Sequence, residues 1–182
     1  MNVQIKGRCF QVGDGVTAYQ IISQARWNAA GSDEAKLGDW LFEKLEAGAE
    51  NKAGAFRAMG YNIVVAGGNF GCGGKSNDYP VLALKGAGVD LVIARSFNRI
   101  FYRNAINLGL PVALCPNILS LCSTGDILEC DLAMGTVKNS SNGLSLDTTP
   151  LSALALDILG AGSLLDYYIA MRDKPELLFV SK

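Results

Sequence analysis

The residues of this sequence best suited to chemistry lie in a glycine-rich loop at positions 68–78. The loop reads GNFGCGGKSND and directly follows the apolar run YNIVVAG. Its glycines would let successive backbone N–H groups converge on a phosphate, which the lysine would neutralise. The ending Gly74, Lys75 and Ser76 is that of a nucleotide-binding P-loop, so phosphate binding is the first hypothesis.

The spacing of the loop argues against that hypothesis. A P-loop places four residues between its first glycine and the Gly-Lys-Ser ending, but here that first position is Asn69. The magnesium ion of such a site also needs an acid after a neighbouring buried strand, and the runs VDLVIA and PVALC are followed by Arg95 and Pro116. Pro80 interrupts the helix that should continue directly after the loop. Asparagine does adopt left-handed backbone angles, so the spacing is not decisive by itself.

The absence of histidine from the sequence excludes several kinds of active site. A Ser-His-Asp triad, a Cys-His pair and imidazole metal ligands all require it. The five cysteines form no CxxC pair and match no zinc spacing, so they are predicted to be reduced thiols packed as small apolar residues. Cys72, which lies in the glycine loop, is the one that this interpretation leaves open. No metal ligands are predicted in this chain.

The composition predicts one compact domain over residues 1–182, with enough apolar residues for a sizeable core. Hydrophobic residues make up 49% and charged residues 18%, and the net charge is −1. A nearly neutral chain without a basic stripe is not expected to bind nucleic acid or anionic lipid. The first ten residues contain no continuous apolar stretch, and no run approaches the ~18 apolar residues of a membrane span. We therefore expect a cytoplasmic protein that binds no membrane.

The order of the elements predicts an α/β fold with a mixed sheet and flanking helices. Strands are expected at residues 3–12, 61–67, 89–94 and 110–115, and the helices between the last three imply parallel strands joined by right-handed crossovers. Pro80 and Ser96 are expected to begin two of these helices. Another helix is expected from Ser32 to Gly48. Residues 125–150 predict antiparallel, hairpin-like strands, and two helices are expected at 151–159 and 163–171.

Three stretches together resemble the small subunit of 3-isopropylmalate dehydratase, which corresponds to the swivelling C-terminal domain of aconitase. The first is NFGCG followed by ALKGAGVDLVIARSFNRIFYRNAINLGLPV. The second is VGDGVTAYQII near the N-terminus, and the third is GDILECDLAMGTVKN followed by LALDILGAGSLLDYY. The likeness covers most of the chain and implies a swivelling β/β/α domain.

The resemblance also implies an activity. Family members dehydrate and rehydrate a small hydroxy-acid through an alkene, as in leucine biosynthesis, and a separate large subunit carries a [4Fe-4S] cluster. The implied partners are that large subunit and the hydroxy-acid, with no cofactor in this chain. In the family, a loop serine removes the α-proton and an adjacent arginine binds a substrate carboxylate. The surface meant for the large subunit would also allow the isolated chain to form a homo-oligomer.

The centre of the loop departs from the family pattern. The family's Ser-Ser-Arg-Glu-His falls on residues 74–78, which read GKSND here, although the register inside the loop could shift by one. We predict that Ser76 supplies the catalytic hydroxyl and Lys75 the cation. The predicted substrate-binding residues of the loop are Gly73, Gly74 and Asn77. An arginine fork replaced by a lysine point charge favours a different substrate, or else the site has lost its catalysis.

Residues outside the loop add further candidates. Tyr19 and Arg26 lie where the resemblance places a loop that shapes substrate choice, so both are predicted to bind substrate. Trp27 is a candidate too, with simple packing as its alternative. Arg99 and Arg103 share one helix face, which faces either the cleft or the large subunit, or else is a solvated or salt-bridged face. The alternative function is a catalytically inactive homologue that acts as an anion-binding, assembly or regulatory module.

Overall fold

The computed structural model describes residues 4–45, 53–74 and 77–172. Within these ranges one mixed sheet contains seven strands, in the order β4-β3-β2-β1-β5-β6-β7. The strands are β1 (Gln4–Gln11), β2 (Ile63–Ala66), β3 (Leu91–Ala94), β4 (Val112–Leu114), β5 (Ile127–Asp131), β6 (Thr136–Asn139) and β7 (Ser145–Asp147). The sheet and its flanking helices confirm the predicted α/β class.

The sheet has a parallel half and an antiparallel half that meet at β1. Strands β1 to β4 pair in parallel, whereas β5 pairs antiparallel with β1 and is followed by β6 and β7 in the same sense. Every residue of β2 and β3 is buried, as expected for strands covered on both faces. Both the parallel crossovers and the antiparallel hairpins predicted from the sequence are confirmed.

The described helices flank this sheet. They are α1 (Ala18–Ile21), α2 (Gln24–Ala30), α3 (Glu34–Gly38), α4 (Ala55–Ala58), α5 (Tyr79–Gly86), α6 (Arg99–Asn107), α7 (Ile118–Leu121), α8 (Ala153–Ala161) and α9 (Leu164–Arg172). Helix α5 begins one residue before Pro80, which suits the first turn because its missing N–H needs no partner there. Helices α8 and α9 confirm the two predicted C-terminal helices.

The helix predicted between Ser32 and Gly48 is wrong in its bounds, because it is capped one residue later and is much shorter; Gly48 itself lies outside the described residues. Asp33 is the N-cap of α3, where its carboxylate accepts a hydrogen bond from the N–H of Lys36 at 3.2 Å. The helix ends at Gly38, where Gly38 and Gly86 bring the backbones of α3 and α5 into direct contact. Phe42 then takes a left-handed φ of 59°, which a helix cannot continue through. Tertiary packing therefore overrides the local helical pattern.

Four of the five cysteines lie in the interior of the protein. The buried cysteines are Cys9, Cys115, Cys122 and Cys130, and all are free thiols. Burial raises the pKa of Cys130 to about 12, so that thiol stays protonated.

No single helix of the described ranges is long and apolar enough to cross a membrane. Helices α8 and α9 together have the length and composition of a span, but they are bent by 90° relative to each other.

We predict that Asp126 makes stability sensitive to acid. Its carboxylate accepts hydrogen bonds from the N–H of Ser123 at 3.0 Å and from Nδ2 of the fully buried Asn139 at 2.8 Å. These bonds, that of Ser123 first, lower the pKa of Asp126 below its usual 3.8. The folded state then binds this proton more weakly than the unfolded state, so the contribution is present above about pH 4 and is lost as the pH falls through the folded-state pKa.

Asp126→Asn should therefore show a shallower loss of unfolding free energy than wild type between about pH 4 and about pH 2. Urea unfolding at several pH values in this window measures the slope. Asp157→Asn, at an exposed position of α8, controls for the loss of one negative charge. Equal slopes for wild type and Asp126→Asn would contradict the prediction.

Candidate functional site

The glycine loop follows β2 and is held on one side by the segment that follows β1. Because β1 and β2 are parallel, their carboxyl ends meet at one edge of the sheet. The N–H of Gly15 donates to the carbonyl of Gly68 at 2.8 Å, and the N–H of Gly71 donates to the carbonyl of Val16 at 2.8 Å. The N–H of Ala18 then donates to the carbonyl of Cys72 at 2.7 Å. The loop is therefore an extension of the sheet rather than a free turn.

The other side of the loop is held by the segment between β3 and α6. The hydroxyl of Ser96 accepts a hydrogen bond from the N–H of Asn69 at 2.8 Å, and its carbonyl accepts one from the N–H of Phe70 at 3.0 Å. The expectation that Ser96 caps α6 is wrong, because Asn98 is the N-cap and accepts from the N–H of Ile100 at 3.0 Å. Ser96 is used by the glycine loop instead.

Asp14 anchors the base of the loop and was missed by the sequence analysis. Its Oδ1 accepts a short hydrogen bond from the N–H of Gly68 and lies 3.3 Å from Nη1 of Arg95. The aspartate directly follows Gly13 at the end of the first strand, and parallel strands would place it beside the start of the loop. That position was the signal that could have identified it.

Gly71 can only be glycine in this backbone. Its φ is 78°, and a Cβ placed there would lie 2.6 Å from Cβ of Phe101 on α6. The loop thus lies directly against α6, with no room for a side chain between them. This close approach fixes the path of the chain immediately before the predicted catalytic residues.

The tip of the loop presents unused hydrogen-bonding groups. The N–H groups of Gly73 and Gly74 donate to no residue in the described ranges, and Gly73 has a φ of 70°. The Oδ1 of Asn77 is buried and accepts no hydrogen bond from the described residues, whereas the carbonyl of Asn77 accepts one from Nδ2 of Asn104 at 3.0 Å. By the same criterion the N–H of Cys72 also has no partner among the described residues, so the loop carries several backbone donors without a protein acceptor, beside one buried acceptor that is not satisfied. The predicted catalytic residues Lys75 and Ser76 lie between them, outside the described residues.

An aromatic stack lies beside the loop. The ring of Tyr19, which is 38% exposed, packs on Trp27 at a centroid distance of 5.4 Å, and Trp27 stacks on Tyr79 at 5.2 Å. Trp27 is buried, which supports simple packing for that residue. Ala18, next to Tyr19, is the nearest neighbour that a Cβ on Gly74 would meet. Tyr19 thus follows a residue that contacts the loop, and its role in substrate binding stays a prediction.

Arg26 has partners within this chain. Its Nε donates to Oε2 of Glu43 at 2.9 Å, and its guanidinium lies 3.3 Å from the ring centroid of Trp40. The Glu43 side chain is only 6% exposed and also accepts a hydrogen bond from the hydroxyl of Ser23. Removing Arg26 would leave a buried carboxylate without its counter-charge. Its role in substrate binding stays a prediction, since no hydrogen bond joins it to the described part of the loop.

Three kinds of comparison with known proteins point to one family. A family model described as the aconitase C-terminal domain matches residues 33–116. The 3-isopropylmalate dehydratase small subunit of Pyrobaculum calidifontis is 43% identical over 90% of this chain and 96% of its own length. The 2,3-dimethylmalate dehydratase small subunit of Eubacterium barkeri is 35% identical over 91% and 96% of the two chains. The crystal structure of 3-isopropylmalate dehydratase from Methanocaldococcus jannaschii matches with a TM-score of 0.82 and 31% identity, over 97% and 99% of the chains.

This chain belongs to the 3-isopropylmalate dehydratase small-subunit family. The predicted aconitase-type swivelling fold is confirmed, because the family model and the matched crystal structure share it. The P-loop hypothesis is not supported, since the N–H groups of Gly68, Asn69, Phe70 and Gly71 all bind protein oxygens. In the described part of the loop in this member of the dehydratase family, the N–H groups without a protein partner follow Gly71, and they include those of Gly73 and Gly74.

Whether this family member could itself hold an iron–sulfur cluster depends on the arrangement of its own side chains. Among the residues that the structure describes, no three Cys, Asp or Glu side chains are arranged to hold a metal ion. The one partly exposed cysteine, Cys72, has its thiol directed at the carbonyl of Gly15 at 3.5 Å. The described residues thus do not fit a cluster.

Proposed function

We propose that this chain is the small subunit of a two-subunit hydro-lyase of the isopropylmalate isomerase type. Membership of the small-subunit family over 90% of the chain carries the proposal. The loop supports it, because the N–H groups of Gly73 and Gly74 and the buried Oδ1 of Asn77, on either side of Lys75 and Ser76 in the sequence, have no hydrogen-bond partner among the described residues. The proposal treats residues 1–182 as one swivelling domain that acts in the cytoplasm.

The proposed substrate is a malate that carries alkyl groups. The relatives that match this chain are named for 3-isopropylmalate and for 2,3-dimethylmalate, and both names describe a hydroxy-dicarboxylic acid with an apolar substituent. The exposed ring of Tyr19 beside the loop is suited to contact such a substituent. Isopropylmalate itself, and with it leucine biosynthesis, is the narrowest form of the proposal.

The residues of this chain would bind the substrate and move one proton. Lys75 and the N–H groups of Gly73 and Gly74 would bind a substrate carboxylate, because they combine one positive charge with two oriented donors. The same charge and donors would stabilise Ser76 as an alkoxide, which takes the α-proton. The carboxamide oxygen of Asn77 would accept a hydrogen bond from a substrate hydroxyl. In the large subunit, a [4Fe-4S] cluster would supply the Lewis acid for the hydroxyl that leaves.

The alternative, an inactive anion-binding, assembly or regulatory module, is not favoured by the comparisons, because the matched relatives are named as dehydratase subunits. The observation that favours this alternative is the order of Lys75 and Ser76, which differs from the family's Ser-Ser-Arg. Exposed apolar side chains on α8 and α9 offer a surface for self-association of the isolated chain. They are Leu154, Leu165, Tyr168 and Ile169.

Reconstitution tests the proposed function. The chain would be mixed under anaerobic conditions with the cluster-bearing large subunit of the same organism, and hydration of the corresponding alkenes would be assayed for isopropylmalate, dimethylmalate and unsubstituted malate. A stable complex with activity on an alkylmalate is expected, while either subunit alone should be inactive. Failure to bind the large subunit at micromolar concentrations would overturn the proposal.

A further inference from the structure

Helix α6 lies against the glycine loop along its length. At its first turn, Phe101 fills the space next to Gly71. One turn later, Nδ2 of Asn104 donates to the carbonyl of Asn77 at 3.0 Å. Ile100 lines the small space around Gly74 and Asn77. Whatever covers the tip of the loop must therefore also cover the adjoining face of α6.

That face carries an open groove of about 210 Å³. Its lining residues are Arg99, Ile100, Arg103, Asn104 and Asn107, which recur at the spacing of one helix face. Both arginines are exposed, and Ile100 between them is 41% exposed. This face is called the α6 groove below.

Among the described residues, the two arginines of the α6 groove form no ion pair, whereas three other arginines do. Arg26, Arg57 and Arg95 each pair with a carboxylate of this chain, at 2.9, 2.8 and 3.3 Å. In the described ranges, Arg99 and Arg103 form no such pair. The groove thus combines an exposed apolar side chain with two positive charges that nothing described compensates.

We propose that the α6 groove docks an acidic surface of the large subunit, an inference that rests on the proposed function. A partner that closes over the loop would remove Arg99 and Arg103 from water, which is unfavourable unless carboxylates face them. Complementary charges at such a site mainly speed association and select the partner. Ile100, between the two charges, would be the apolar contact at the centre of this part of the interface.

The shape of the groove favours a protein surface over a small molecule. All five lining residues belong to α6, so no second element among the described residues encloses the groove. A small-molecule site normally buries most of its ligand within a cleft. The missing wall must come from another protein surface.

A double charge reversal tests the inference. Arg99→Glu with Arg103→Glu should raise the Kd for the large subunit by about 100-fold or more at low salt, since unlike charges become like charges. The milder double variant Arg99→Gln with Arg103→Gln should raise the Kd by about tenfold. It is included in case the reversed variant misfolds, and circular dichroism checks the folding of both. Lys44→Glu with Lys138→Glu is the control with the same change in net charge and should bind as wild type. Wild-type binding should weaken as salt rises, and that of the Gln variant should weaken less.

The outcomes distinguish failure of the docking inference from failure of the proposed function. If wild type assembles and the reversed variant assembles equally well, the α6 groove is not the docking surface, while the proposed function stands. If the variant assembles normally but its KM for substrate rises, the groove binds a substrate carboxylate and the inference is wrong. If wild type itself does not bind a large subunit, the proposed function fails and this inference falls with it.

Discussion

Replacement of Ser76 by alanine should lower the kcat of the reconstituted complex by at least about 100-fold, the lower range for loss of a general base. Its hydroxyl is the proposed proton acceptor, and alanine cannot take that role. The Kd between the subunits should stay unchanged, because one hydroxyl inside the loop contributes little to a protein interface. Initial rates across substrate concentrations measure kcat and KM separately.

Two further variants make the Ser76 experiment specific. Lys75→Ala should mainly raise KM, because the lysine is assigned to carboxylate binding, and Lys75→Arg should restore part of that loss. Ser145→Ala, at an exposed position of β7, is the control and should keep wild-type kinetics. Unchanged turnover in Ser76→Ala would show that the catalytic assignment in the loop is wrong.

Substitution of Gly86 by alanine should destabilise the fold by about 2 kcal/mol or more, in the upper part of the range for overpacking. A Cβ at this position would lie far inside van der Waals contact with the carbonyl of Glu34 on α3. The obstacle is helix backbone, so a rotamer change cannot relieve it. Alanine gains about 1 kcal/mol of helix propensity over glycine, which the clash should exceed. Urea unfolding followed by circular dichroism measures the free energy.

The matched control for Gly86 is Gly13→Ala. A Cβ on Gly13 meets no atom within 4 Å, and its φ is not in the left-handed region. Its unfolding free energy should change by less than about 0.5 kcal/mol. If Gly86→Ala unfolded at the same urea concentration as this control, the close approach of α3 and α5 would not be important for stability.

The parallel half of the sheet could be predicted because its signals are local. The runs that form β2 and β3 are short and apolar throughout, and the segments between them are helical with turn residues at their ends. Such patterns depend on a few neighbouring residues, so they survive in any tertiary context that buries them. The predicted Ser32 helix is wrong where distant segments meet: its last helical residue, Gly38, packs against Gly86, which is 48 residues further along the chain.

The sequence by itself determined the position of the glycine loop after a buried strand, the absence of histidine chemistry and the resemblance to the dehydratase small subunits. These depend on residue types and their order, which need no coordinates. Only the tertiary structure decided that Ser96 and Asp14 hold the loop, that Arg26 pairs with Glu43 and that Arg99 and Arg103 have no carboxylate partner among the described residues. The physical reason is distance along the chain: Asp14 and Arg95 are 81 residues apart, and only the packing of parallel strands brings their charges together.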